Sequence, residues 1–166
     1  MDVFEFAMQM EKDGQAYYEN MAAQAENAVL KEILTNLAQD EVKHYNLFKK
    51  FRDGDITAVA DMEASGSKVF QNAKNVFQNL KASGTPGGFS EDIVEAWKKA
   101  QEVEKKSEDF YREKVAEEAN EGIKNTIIKI ADEEHKHWTL IDNVINFLNR
   151  PRQWLEDAEW NNMESY

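Results

Sequence analysis

Apolar residues recur every three or four positions along most of the chain, and that period predicts helices. Phe4, Met8, Glu11, Gln15 and Tyr18 share one stripe, flanked by Phe6, Ala7, Met10, Gly14, Tyr17, Met21 and Ala22, which predicts a helix over about 2–26. After a turn at Glu26-Asn27, a second helix over about 28–51 points Val29, Ile33, Leu34, Leu37, Glu41, His44, Leu47, Phe48 and Phe51 inward. Arg52-Asp53-Gly54-Asp55 stops it. Residues 52–89 are less regular, but Val69, Phe70, Ala73, Val76, Phe77 and Leu80 predict a helix over about 67–82, followed by the breakers Ser83 to Gly88. Ser90 before Glu91-Asp92 is a helix start: a cap followed by acids in the first turn. A third helix over about 91–119 carries Ile93, Trp97, Ala100, Glu104, Ser107 and Tyr111 on one face. Asn120-Glu121-Gly122 turns the chain into a fourth, over about 123–149, with Ile127, Ile130, Glu134, His137, Ile141, Val144 and Leu148 inside, and Arg150-Pro151 ends it. The aromatic tail, 151–166, is expected to form a short helix whose Trp154 and Trp160 cover an apolar seam, on this subunit or across a dimer.

Six Glu and His residues interrupt the inward stripes, and they repeat. Glu41-x-x-His44 returns as Glu134-x-x-His137, 93 positions later (134 − 41). Residues i and i+3 share a helix face, so each pair can reach one point. Met10 to Tyr18 aligns with Val103 to Tyr111 at the same offset, placing Glu104 opposite Glu11, and Asn27 matches Asn120. The chain therefore holds two related helical hairpins. Within each, the two glutamates are 30 residues apart (41 − 11 and 134 − 104), with the turn midway. In an antiparallel hairpin such residues sit level, about 22 Å from the turn at 1.5 Å per residue. Packing the hairpins together brings four Glu and two His into one layer. The expected fold is all-α: an antiparallel four-helix bundle over 1–150, with a long crossover at about 52–89 and a short C-terminal tail. One long crossover is the ferritin-like arrangement.

Composition limits the remaining choices. A chain of 166 residues with 42% hydrophobic and 31% charged content supports one globular domain. There is no cysteine, which excludes thiolate catalysis and iron–sulfur or zinc–thiolate sites within this sequence. A net charge of −12 disfavours nucleic acid and anionic membrane surfaces as partners. No apolar run reaches membrane-spanning length, and the acidic start, Met1 to Glu5, lacks the basic-then-apolar order of a signal peptide; a cytoplasmic location is the expectation.

Four glutamates in a helical core need compensation. Two divalent cations balance four carboxylates, and two imidazoles complete the donor set. Glu11, Glu41, His44, Glu104, Glu134 and His137 are thus the expected metal ligands. Mixed carboxylate and imidazole donors suit iron, manganese or zinc. No catalytic residue beyond these ligands is expected. Tyr18 and Tyr111 lie two turns past Glu11 and Glu104; core packing is the favoured role, with a hydrogen bond to a ligand carboxylate as the alternative. Asp40 and Glu133 are either surface charges or acceptors for the second imidazole N–H of the opposite hairpin's histidine. His135 lies off the ligand face and is expected on the solvent side.

These residues resemble the rubrerythrin branch of the ferritin-like superfamily over residues 1–150. The likeness rests on Glu11, Glu41-x-x-His44, Glu104 and Glu134-x-x-His137, on the Glu-x-x-Gly-x-x-Tyr-Tyr run at Glu11–Tyr18, and on the Trp154–Trp160 tail. The resemblance implies two iron ions as cofactor, reduction of hydrogen peroxide or dioxygen, and a homodimer. Ferroxidase action or iron binding is the alternative, and a metal-stabilised structural or partner-binding protein a third reading. Two features depart from the family. Rubrerythrins proper carry a rubredoxin-like domain with four cysteines, so this chain implies an external electron donor, such as a rubredoxin-like protein. Their third helix carries Glu-x-x-Glu, whereas Glu104 is followed here by Ser107, which leaves a more symmetric centre.

Overall fold

The structure is a computed structural model and describes residues 2–58, 78 and 91–149. Four long helices account for most of them: α1 (Val3–Gln24), α2 (Ala28–Arg52), α3 (Glu91–Lys114) and α4 (Glu121–Asn149), with 3-10 turns at Ile56–Ala58 and Val115–Glu117. No strand occurs among the described residues. The predicted helix over 67–82, the crossover from 59 to 90 apart from residue 78, and the tail 151–166 lie outside them.

Local chemistry sets the helix ends. Asp2 and Glu5 form a capping box at the start of α1. Asn27 Oδ1 accepts from the N–H groups of Val29 and Leu30 at 2.9 and 3.1 Å. Asn120 Oδ1 does the same for Gly122 and Ile123, again at 2.9 and 3.1 Å. The 93-residue repeat therefore extends to the caps. α2 stops in a Schellman arrangement: Gly54, at φ 80°, donates to Phe51 O, and Asp55 donates to Lys50 O. Three predicted boundaries shift. α1 ends at Gln24, with Ala25 extended. α3 ends at Lys114 rather than 119, tightening into the 3-10 turn. Glu121 and Gly122 belong to α4 rather than to the turn, because Asn120 caps just ahead of them.

Each hairpin packs its two helices antiparallel, and the hairpins meet through two apolar clusters, one at each end of the bundle. One end gathers Tyr18, Leu34, Leu37, Trp97, Leu140 and Phe147. The other gathers Met8, Phe48, Phe51, Tyr111, Ile127 and Ile130. The ends of α1 and α2 joined by the first turn thus lie beside the start of α3 and the end of α4, so the two hairpin turns are at opposite ends. Residue 52 lies at one end of the bundle and residue 91 at the other. Full burial of such a side chain contributes about 1.5–3 kcal/mol. Two inward assignments are corrected: Ile93 is 42% exposed and Val94 takes its place, while Gln15 is half-buried and binds Glu19. The polar layer lies between the two clusters.

Candidate metal centre

All six residues picked from the repeat lie in that layer and are buried: Glu11 1%, Glu41 4%, His44 0%, Glu104 1%, Glu134 1% and His137 0% exposed. They form two overlapping groups. Glu11, Glu41, His44 and Glu134 converge in one, and Glu41, Glu104, Glu134 and His137 in the other; within each, one donor atom per residue lies within 4.8 Å of the others. Glu41 and Glu134 belong to both. Glu134 divides its oxygens: Oε1 is 2.8 Å from His44 Nδ1, and Oε2 is 3.7 Å from His137 Nδ1. Glu11 Oε2 is 3.4 Å from His44 Nδ1, and Glu104 Oε2 is 3.4 Å from His137 Nδ1.

Six of these buried atoms have no hydrogen-bond partner: Glu11 Oε2, Glu41 Oε1, His44 Nδ1, Glu104 Oε2 and both oxygens of Glu134. Unpaired buried polar atoms are rare and costly. Six of them in one small layer, all able to donate a lone pair to a metal, fit two divalent cations, whose charge would balance the four carboxylates.

The atoms turned away from this volume are held. His44 Nε2 is 2.7 Å from Glu133 Oε2, and His137 Nε2 is 3.0 Å from Asp40 Oδ2. Each histidine is thus gripped by the opposite hairpin, and each Nδ1 is left facing inward. Such a carboxylate fixes ring orientation and tautomer. Asp40 is buried and also meets Lys43 at 3.3 Å. Tyr18 donates its hydroxyl hydrogen bond to Glu104 Oε1, and Tyr111 donates to Glu11 Oε1. Their rings pack in the two apolar clusters, so both roles weighed from the sequence coexist. All four bonds cross between hairpins. His135 is exposed, as expected, and its Nδ1 lies 3.1 Å from Glu108.

Without cations, charge crowding dominates the electrostatics. Burial, then repulsion from Glu11, Glu134 and Glu104, holds the Glu41 carboxyl well above the usual carboxylate range. Burial, with Glu104 and Glu11, pushes Glu134 up to about 8. Burial alone would raise Glu104, but His137 and the Tyr18 hydrogen bond outweigh it and lower it. Burial alone would likewise lower both histidines. The carboxylates outweigh that and hold His44 and His137 well above the ordinary imidazole value. The pocket holds protons where cations would otherwise sit.

Two further residues of the site have no role in the sequence pattern. Gly14 is buried between Glu11 and Tyr18; a glycine inside a strong helical stripe was the available signal. Glu108 is buried between Arg112, at 2.9 Å, and His135. Nothing in the helical period marked it, since it stands next to the stripe rather than in it.

The family model described as Rubrerythrin matches residues 2–145. Neither the curated proteins nor the solved structures gave a match. With six metal-type donors in one buried layer and this match covering residues from all four helices, the chain belongs to the rubrerythrin family.

Proposed function

We propose that the protein is a non-haem di-iron oxidoreductase that reduces hydrogen peroxide, or dioxygen, with electrons from an external donor. The observation carrying this reading is the sharing of Glu41 and Glu134 between two donor groups in which all four glutamates leave buried oxygens unpaired. Two ferrous ions, if held there, would supply the two electrons needed to convert one peroxide and two protons into two waters, and would be left ferric.

The chain's own residues supply the geometry. Glu11 with His44, and Glu104 with His137, would each hold one ion, and Glu41 and Glu134, which belong to both donor groups, would be shared between the two. Asp40 and Glu133 keep the imidazoles in the tautomer that offers Nδ1 to the ion. Tyr18 and Tyr111 fix the outer oxygens of Glu104 and Glu11. The apolar clusters on either side exclude water from the layer. These 166 residues contain no cysteine for a rubredoxin-type iron site, which supports re-reduction by an external donor. A homodimer, by family likeness, and a cytoplasmic location, from the sequence's lack of a signal-peptide pattern, are part of the same reading.

The test is direct. The purified protein is analysed for metal, reduced anaerobically, and mixed with peroxide or with oxygen. Two irons per chain and rapid peroxide consumption in the presence of a reductant are expected. Preference for oxygen with uptake of added iron would assign a ferroxidase instead. Metals that never change oxidation state would assign a structural role.

A further inference from the structure

Gly14 stands one turn after Glu11 in the middle of α1, where helix propensity disfavours glycine. A Cβ built on it would lie 2.5 Å from Glu41 Oε2 and 3.3 Å from Glu41 Cδ, well inside van der Waals contact. The Glu41 carboxylate therefore rests directly against the α1 backbone. Glu41 reaches the layer from α2, belongs to both donor groups, and leaves Oε1 unpaired inside it. The matching position in the second hairpin is Ser107, which is buried and carries a side chain. The close approach is thus a property of the first hairpin.

We propose that Gly14 is a positioning residue for the metal centre: its missing side chain creates the space that lets Glu41 serve both cations at once. This rests on the two-cation reading above. The group in the way is the end of a flexible side chain. A methyl at position 14 would therefore displace the carboxylate and leave the helices where they are. Because Glu41 is shared, the loss should strike both positions together. Removal of a residue confined to one group, such as Glu104, should spare the other.

The experiment is manganese(II) titration of metal-free wild type, Gly14→Ala and Glu104→Ala, read by bound ion per chain and by electron paramagnetic resonance of the coupled pair. Wild type should bind two ions with an exchange-coupled spectrum. Gly14→Ala should keep its helical circular dichroism and a metal-free Tm no lower than wild type, since alanine is the better helix former. It should nevertheless bind both ions about 10–100-fold more weakly, the loss usual when the support of a ligand is removed, and show no coupling. Glu104→Ala should keep one ion. Two coupled ions in Gly14→Ala at wild-type affinity would overturn the proposal. A wild type that binds no pair would instead overturn the reading beneath it. If Gly14→Ala fails to fold, Gly14→Ala with Glu41→Asp decides: the shorter acid relieves the contact, so a helical double variant supports the proposal and an unfolded one overturns it.

Discussion

The two hairpins differ little in the layer and considerably just outside it. Glu11, Glu41, His44, Tyr18 and Asn27 have identical counterparts 93 positions on, in Glu104, Glu134, His137, Tyr111 and Asn120. Around this shared set, the repeat pairs Gly14 with Ser107, Asp40 with Glu133, Gln15 with Glu108 and Val42 with His135 in sequence position. Four of the five repeated pairs lie in the donor layer or hydrogen-bond to it, and the fifth, Asn27 and Asn120, caps the turns. Among the divergent residues, Asp40 and Glu133 each hold a histidine, a task that either acid serves. The hairpins are also locked reciprocally, since each holds the other's histidine and glutamate through Asp40, Glu133, Tyr18 and Tyr111. Neither hairpin contains a complete donor group.

The reciprocity yields the largest expected effect. Glu134→Ala and Glu41→Ala each remove a member of both groups, and both should abolish binding of the ion pair. Glu11→Ala and Glu104→Ala each touch one group and should leave one ion bound. Metal analysis after desalting reads the difference. One residual ion in Glu134→Ala would mean that the two groups do not share it.

The next effect separates Asp40 from Glu133. Asp40 is fully buried against His137, whereas the Glu133 side chain is 20% exposed. Water can replace the lost carboxylate beside His44 more readily than beside His137. Asp40→Ala should therefore weaken metal retention by about 10–100-fold, and Glu133→Ala should weaken it less. Unchanged metal content in Asp40→Ala would remove its supporting role.

Acidity gives a third comparison. Glu41 and Glu134, one on each hairpin, are both raised in the metal-free pocket. A raised folded value means that protonation favours the fold. This contribution is complete below the ordinary carboxylate value and is lost as pH climbs through the folded value, about 8 for Glu134. The raised histidines act in the same direction. Glu104 is lowered, so its contribution is lost instead on the acid side. The metal-free Tm should therefore fall between pH 5 and about pH 8, while metal affinity rises as protons stop competing. Glu134→Gln should flatten the fall in Tm. A metal-free Tm that rises across this window would contradict the crowded pocket.

Most of the fold was legible because hydrophobic period and internal repeat made the same demand. The layer was legible for a further reason. Charged side chains at apolar positions such as 41 and 134 conflict with burial unless something offsets them, and the repeat gave the conflict a geometry. What stayed hidden depended on a single side chain's direction. Ile93 and Val94 compete for one inward position, and a helical wheel cannot choose between neighbours about 100° apart. Gly14 is invisible to a hydrophobic pattern because its role is the space it leaves. The end of α3 depended on the choice between an α and a 3-10 last turn, which sequence specifies weakly.

The smallest effect tests whether the hairpins are equivalent as folding units. Asn27→Ala and Asn120→Ala each remove a cap that accepts two backbone N–H groups, a change that costs about 1 kcal/mol. The second turn has an additional tie: Glu118 Oε1 accepts from the Asn120 N–H at 2.8 Å, and the corresponding residue of the first turn is Ala25. That bond uses the backbone of residue 120 and survives the substitution, so it keeps the start of α4 in place. Asn27→Ala should accordingly lower the metal-free Tm more than Asn120→Ala. The two turns lie at opposite ends of the bundle and share no partner, so the double variant should equal the sum of the singles within about 0.5 kcal/mol. A larger loss for Asn120→Ala would place the weaker turn in the second hairpin. Marked non-additivity would mean that the hairpins form cooperatively from their turns inward, with the donor layer assembling as the ends close.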